Sequence, residues 1–476
     1  MNREESLQRM RAGKEPLDIL VVGGGATGMG VALDAAERGL SVGLVEQSDF
    51  AKGTSSRSTK LVHGGVRYLK QGDVAMVREA LRERGRLLRN APHLVRELGF
   101  VIPIYRWFDA PFYGIGLKLY DFLAGKLGMG RTRWLNLEKT LEALPTASRE
   151  GLKGGIYYAD GQFDDARLVI DLAWTASLRG AKVANYVRCL GLVEEAGRVV
   201  GAKVRDEELG EEFEVRAKVV VNATGIFVDE LRDGKEEMVT VSQGAHLVLP
   251  REFLPGEQAL MVPKTSDGRV LFAVPWKEVV LVGTTDTPRD EKLLEPRPLD
   301  EELKFILDHT EQYLGRRPKE EEIRSVYAGL RPLVRPPNSQ GKTSSLSRSH
   351  TIVRDENGLV TITGGKWTTY RQMAEELVDR VIEAEGWQSQ ACGTQDLQIE
   401  TSGAKTPGQF VELEMARRVE DVLARRTRRL VEDARGAMKD AKSIGEGMAE
   451  SLSKDAAWVE AQAGEFVEVA EGWVLS

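Results

Sequence analysis

The sequence predicts an α/β protein: a Rossmann-like domain, an antiparallel-sheet domain and a helical C-terminal region. Three observations carry that prediction. The chain has 476 residues, too many for one compact core. Residues 17–46 read as strand, glycine-rich turn, helix and strand. After residue 240 apolar and polar residues alternate with period two, and from Val411 the period becomes helical.

The first unit, "LDILVVGGGATGMGVALDAAERGLSVGLVEQS", opens with the apolar strand 17–22. Gly23, Gly25 and Gly28 then form G-x-G-x-x-G, followed by a helix over 26–38 that Gly39 closes. The glycines permit a tight turn and let backbone approach a pyrophosphate at the helix N-terminus, where unpaired N–H groups and the helix dipole favour anions. A second strand, 41–45, delivers Glu46, 18 positions after Gly28, where a carboxylate can take ribose hydroxyls. An acid there repels a 2′-phosphate, so the pattern points to NAD or FAD rather than NADP.

The next stretch, "GTSSRSTKLVHGGVRYLK" (53–70), makes a poor helix and a poor core strand. Its hydroxyl run, Thr54, Ser55, Ser56, Ser58 and Thr59, suits a second polar ligand region beyond an adenosine. Gly64 and Gly65 allow close approach to something flat, with Arg67 as a neighbouring cation. Farther on, the strand 218–221 ends in the tight turn Ala223-Thr224-Gly225, and Gly364-Gly365-Lys366 precedes a helix that starts at Thr368.

Composition narrows the function classes. Apolar residues make up 42% and charged residues 29%, ordinary for a globular protein, and the net charge of −7 offers no basic footprint for nucleic acid. Two cysteines, Cys189 and Cys392, give no disulfide framework and fit a reducing compartment. The histidines, His63, His93, His246, His309 and His350, show no metal-ligand spacing. The first residues lack the apolar core of a secretory signal, and no stretch is long and apolar enough to span a membrane. A cytoplasmic location is the expectation.

These motifs together resemble the FAD-dependent glycerol-3-phosphate dehydrogenases, within the superfamily that also holds D-amino-acid and sarcosine oxidases. The likeness runs over residues 15–390. It rests on "TSSRSTKLVHGGVRYL", "YYADGQFDDARLV", "VVVNATGIFVD", "QGAHLVLP", "FAVPW", "LVGTTDT", "YAGLRPL" and "ITGGKWTTYR" in that order. It implies a discontinuous FAD-binding domain (15–90, 155–235 and 340–395) and a substrate domain (91–154 and 236–339). A linker and helical region fill 396–476, with the first half of the family's helical cap missing or much shortened. It also implies non-covalent FAD, held by Gly23, Gly25, Ala26, Thr27, Gly28, Glu46, Gln47, Thr54, Ser55, Ser56, Lys60, His63, Gly64 and Gly65. Val187 would clamp the adenine, and Ala223, Thr224, Gly225, Gly364, Gly365, Lys366, Thr368 and Thr369 complete the cofactor set.

The reaction implied is oxidation of sn-glycerol 3-phosphate to dihydroxyacetone phosphate. Hydride passes from C2 to flavin N5 and the electrons pass to a quinone. Arg67, Arg331 and Lys366 would hold the phosphate dianion, with Tyr68 lining the pocket. His246, in the apolar strand "AHLVLP", is the expected proton acceptor, and Arg331 the group that stabilises developing charge. Alternatives are an oxidase using oxygen, another amino-acid or amine oxidase, and a non-catalytic flavin-binding protein. The cation set favours phosphate over an amine.

Two further segments carry expectations. Residues 105–135 place Phe112, Tyr113, Ile115, Leu119, Phe122, Leu123 and Leu127 on an apolar helix flanked by Arg106, Lys118, Lys126, Arg131 and Arg133. That mixture suits peripheral contact with the cytoplasmic face of a membrane. In the tail, Leu413, Ala416, Val419, Leu423 and Leu430 fall at helical spacing, with a dense arginine run expected as a solvated or salt-bridged face. A homodimer is a further expectation, and the shortened cap bears against an oligomer contact made through this region.

Overall fold

The computed structural model describes residues 1–11, 13, 15–65, 73–106, 109–232, 234–265, 268–335 and 349–475, with the side chains of 109, 110, 112 and 126 also left aside. Among these residues the parallel strands Val360–Gly364, Glu212–Asn222, Leu17–Val22, Val42–Val45 and Lys182–Ala184 lie side by side in that order, and His350–Arg354 adds an antiparallel edge. From Ile19 to Val22 the central strand is continuously apolar because both of its faces are covered. Ile19 and Val21 pack under the helices Ala26–Glu37, Asp165–Leu178 and Tyr370–Glu385, against Met29, Val169 and Leu377. Leu20 and Val22, one residue out of phase, meet Leu7 and Met10 of the helix Arg3–Arg11 and the antiparallel strands Val187–Glu195 and Arg198–Asp206. Ile19, Leu20 and Val21 are all fully buried, each side chain contributing about 1.5–3 kcal/mol.

Strand order reverses around Leu17–Val22, which has Glu212–Asn222 on one side and Val42–Val45 on the other. A crevice therefore opens beyond the carboxyl ends of these strands, where such sheets bind ligands. The glycine turn, Glu46, Ala223-Thr224-Gly225 and Gly364-Gly365 all fall at that edge.

The second sheet runs Thr287–Arg289, Val239–Pro250, Val279–Gly283, Leu271–Trp276, Ala259–Val262, Val95–Ile104, Gly154–Phe163 and Leu61–Val62. Ser325–Val334 pairs with Val239–Pro250 along its whole length. This corrects the expected division at residue 155. Gly154–Phe163 is the hydrogen-bonded neighbour of Val95–Ile104, so it belongs to the antiparallel sheet, and the chain returns to the first domain only with the helix Asp165–Leu178. An apolar, tyrosine-bearing strand fits either sheet, and the partner that chooses between them lies about 60 residues upstream.

The C-terminal region is helical, as expected: Pro407–Glu414, a π-helical turn Asp421–Arg426, then Arg429–Glu432, Ala434–Leu452 and Ala456–Glu471. Ala416, Val419, Leu423 and Leu430 pack with Phe100, Tyr158 and Tyr327 of the second sheet. The arginine run is salt-bridged but not solvated. Arg425, Arg426 and Arg428 are 2%, 4% and 1% exposed, so each must be paired. Among the described residues no helix is long and apolar enough to cross a membrane.

Candidate active site

The crevice beyond the parallel strands is a cavity of about 250 Å³. Its floor is the glycine turn. Gly23 has φ 112°, and a Cβ there would stand 2.6 Å from the Ala223 carbonyl oxygen. A Cβ on Gly28 would stand 1.9 Å from the Gly23 carbonyl oxygen, so that residue serves the turn's packing and is not among those lining the cavity. Glu46 is half-buried beside the turn: its carboxylate accepts the Gly24 N–H (2.6 Å) and the Ser48 N–H (2.9 Å). Loss of water pushes its carboxyl above the ordinary range, against the pull of those two donors. The first N–H of the helix, that of Ala26, donates to Ser55 Oγ at 2.9 Å, so the hydroxyl run folds back onto the glycine turn.

Of the residues expected at a cofactor, Gly23, Gly25, Ala26, Thr27, Glu46, Gln47, Thr54, Ser55, Val187, Ala223, Thr224, Gly225, Gly364, Gly365 and Lys366 line this cavity. Others support it from behind. His63 N–H donates to Thr368 Oγ1, whose hydroxyl donates back to the His63 carbonyl (3.2 and 3.3 Å). Thr369 Oγ1 donates to the Lys366 carbonyl, and Gly64 N–H to the Tyr120 hydroxyl. Gly65 takes φ 77°, and the Ser56 side chain is buried. Lys60 has a different place from the one expected. It is fully buried away from the cavity lining, with Nζ 2.8 Å from Asp165, and burial lowers its ammonium to about 8. Arg67 and Tyr68 lie outside the described residues.

Sequence reasoning missed other parts of the lining. Trp367 donates its indole N–H to the Ser55 carbonyl at 2.9 Å, joining the Gly364-Gly365 turn to the hydroxyl run; its place in "GGKW" was the available signal. Leu293, Leu294 and Pro296 close one side, pinned where Glu295 meets Arg57 (2.5 Å) and Lys52 (3.3 Å). No local signal marks that loop. Cys189 lines the end near Val187 and Arg188; burial raises its thiol, which donates to the Gly191 carbonyl.

Beside this cavity a second group of polar side chains projects from the antiparallel sheet. His246 faces Tyr327 across the strands, with ring centroids 4.7 Å apart. Arg331 lies on the same face, its Nη2 donating to Thr284 Oγ1 (2.9 Å) and its Nη1 to the Thr285 carbonyl (3.1 Å), with Asp286 at 3.5 Å. Leu330 and Pro332, on the opposite face, line the cavity, so alternation turns Arg331 away from its two neighbours. Two glycines make room for this pair. A Cβ on Gly244 would lie 2.2 Å from Arg331 Nη2, and one on Gly283 would lie 2.5 Å from His246 Cδ2. His246 is 1% exposed, its Nε2 is 2.9 Å from Thr59 Oγ1, and its Nδ1 has no hydrogen-bond partner. Burial, reinforced by the charges of Lys60 and Arg331, holds its pKa well below the ordinary histidine value.

Residues 18–371 match the FAD dependent oxidoreductase family. The chain belongs to that family. The oxidoreductase is 44% identical over 428 residues to a mitochondrial glycerol-3-phosphate dehydrogenase of Arabidopsis thaliana, covering 86% of this chain and 68% of that one. It is 41% identical over 431 residues to the mitochondrial glycerol-3-phosphate dehydrogenase of Bos taurus, spanning 87% of this chain and 59% of the bovine protein. Its fold superposes with a TM-score of 0.81 on the glycerol-3-phosphate dehydrogenase of Bacillus halodurans complexed with FAD, at 29% identity over 99% of this chain and 97% of that one.

FAD is the oxidoreductase's cofactor, and the cavity fits it. Glu46 lines the cavity at a strand end beside the glycine turn, a position from which a carboxylate can take ribose hydroxyls. The glycine turn leaves no room for side chains where a pyrophosphate would approach, the turn at Ala223 packs directly against it, and Gly364-Gly365 brings further backbone to the lining.

Proposed function

We propose that this enzyme oxidises sn-glycerol 3-phosphate to dihydroxyacetone phosphate and passes the electrons to a quinone. The observation that carries the reading is the pairing of His246 and Arg331 on one face of one sheet, in space that Gly244 and Gly283 keep clear. The names of the relatives support the substrate. FAD, when bound, supplies a two-electron acceptor.

The chain's own residues supply the rest. Arg331, fixed by Thr284 and Thr285, presents a planar donor set suited to a phosphate or to negative charge developing on the C2 oxygen. Lys366, on the cavity wall, adds a point cation. Burial keeps His246 neutral and Thr59 orients the ring through Nε2; the buried Nδ1, which has no hydrogen-bond partner, is the atom proposed to take the hydroxyl proton. Arg67 and Tyr68 complete the proposed substrate contacts.

Peripheral membrane contact goes with a quinone acceptor. On the helix Asp109–Ala124, Ile115, Leu119 and Phe122 are 71%, 43% and 80% exposed, and their spacing puts them on one stripe. Leu117 and Tyr120 bury the opposite face, and Lys118 is exposed beside the stripe. An apolar stripe next to a cation suits the headgroup boundary of an anionic bilayer on the cytoplasmic side.

The test is steady-state oxidation of glycerol 3-phosphate with a soluble quinone analogue, run beside oxygen alone, an amino acid and an amine. Turnover of glycerol 3-phosphate that depends on the quinone is expected. Turnover of the amine or amino acid alone would overturn the substrate, and equal rates with oxygen alone would overturn the acceptor.

A further inference from the structure

The arginines at 425, 426 and 428 have no part in the reaction proposed above, yet they are buried and ion-paired. We propose that Arg425, Arg426 and Arg428 are positioning residues of the FAD cradle: they clasp both ends of the segment 46–60 to the C-terminal helical region, so that FAD binding and the order of residues 421–432 are linked.

At the first end the anchor is Asp49, three residues after Glu46 and fully buried. It accepts from Arg425 Nε at 2.5 Å and from Arg426 Nη1. The same turn reaches the glycine loop directly, since Ala51 N–H donates to the Gly24 carbonyl at 3.1 Å. Lys52, which lines the cavity, is held from the same helical region by Glu420 at 2.6 Å.

At the second end the anchor is Asp165, also fully buried. Arg428 donates to its Oδ1 at 2.8 Å and to the Ser56 carbonyl at 3.1 Å. The other carboxylate oxygen takes Lys60 Nζ at 2.8 Å and the Ser58 hydroxyl at 2.7 Å. Ser56 directly follows Ser55, whose hydroxyl accepts the first N–H of the cofactor-binding helix. On the segment 46–60, Asp49 and Ser56 are therefore each within three residues of a group that lines the cavity.

Charge logic makes the contacts specific to the cradle. Asp49 and Glu46 are acids on one short turn, and Arg425 is the cation that lies near both. Without it, Asp49 would keep only Arg426 and its charge would press on Glu46 unopposed, which weakens the turn that carries both acids. Any ligand that orders 46–60 must then stabilise the arginine turn, and the reverse holds by linkage.

The test uses the full chain stripped of FAD. Amide exchange of residues 421–432 should slow on adding FAD to wild-type protein, while the exposed face of Ala456–Glu471 stays unchanged. Asp49→Asn and Arg428→Lys should each raise the FAD dissociation constant, read by quenching of flavin fluorescence, by about tenfold. Lys442→Met, which removes the exposed pair with Glu460, should leave it unchanged. A purely structural role would lower melting temperature without moving FAD affinity. Folded Asp49→Asn and Arg428→Lys proteins that bind FAD within about twofold of wild type would overturn the proposal. So would wild-type exchange at 421–432 that ignores FAD, a result that stands even where a variant fails to fold. No substrate enters the measurement, so its failure leaves the proposed reaction untouched.

Discussion

Gly244→Ala adds one methyl group at the point where the sheet makes room for Arg331. The new carbon would stand 2.2 Å from Arg331 Nη2, 2.7 Å from its Cζ and 2.5 Å from Thr284 Oγ1. Ordinary contact needs about 3.5 Å, so the guanidinium must withdraw by about 1 Å. It is the far end of a flexible side chain, and the loss of stability should sit at the low end of the ~1–3 kcal/mol range for overpacking. The bonds to Thr284 and the Thr285 carbonyl would go with it. Misplacing a reacting group by about 1 Å costs up to ~10²-fold in rate, or ~2.7 kcal/mol of transition-state stabilisation. The assay is anaerobic single-turnover bleaching of the flavin by glycerol 3-phosphate, with FAD content from absorbance and melting temperature alongside. The expected result is normal FAD content, a melting temperature within a few degrees of wild type, and flavin reduction slower by about 30–100-fold. Flavin reduction within about threefold of wild type, at normal FAD content, would refute the claim that Arg331 acts from its observed position.

Arg331→Ala should cut turnover far more than it changes FAD content, and near-normal turnover at saturating substrate would remove Arg331 from the reaction. His246→Gln should slow flavin reduction by roughly 10²–10⁴-fold; a near-native rate would return His246 to a packing role. Because burial and the charges of Lys60 and Arg331 lower its pKa, the wild-type rate should be flat through neutral pH, with any acid limb below the ordinary histidine range. Linkage has the same origin. The unfolded chain binds a proton on His246 below about pH 6.5 and the folded chain does not, so stability is lost as pH falls from there toward the folded pKa. Melting temperature measured against pH should fall less steeply in His246→Gln, and parallel curves would contradict the shift. Phe122→Glu should release the protein from anionic vesicles in a flotation assay without changing turnover with a soluble quinone analogue; unchanged flotation would move the membrane contact elsewhere.

Local chemistry was legible in the sequence, and long-range chemistry was not. The strand, glycine turn, helix and Glu46 unit was readable because its requirements are met within 30 residues: backbone that tolerates no Cβ, an N-terminus of free N–H groups and an acid at a strand end. The turns at Ala223-Thr224-Gly225 and Gly364-Gly365 were legible for the same reason, and they converge on the cavity because their strands are neighbours in one parallel sheet. Three features were decided only by tertiary structure. Gly154–Phe163 could have joined either sheet until Val95–Ile104 offered its edge. Lys60 looked like a cofactor contact until Asp165, 105 positions away, drew it behind the cavity wall. The arginine run read as a solvated or salt-bridged face, and the choice between the two rested on Asp49, 376 positions from Arg425. A side chain's own neighbours set its backbone conformation and the face it takes on a strand or helix. Whether a charge meets water or a buried counter-charge depends on which distant segment folds against it, and one chain read in order carries no local mark of that.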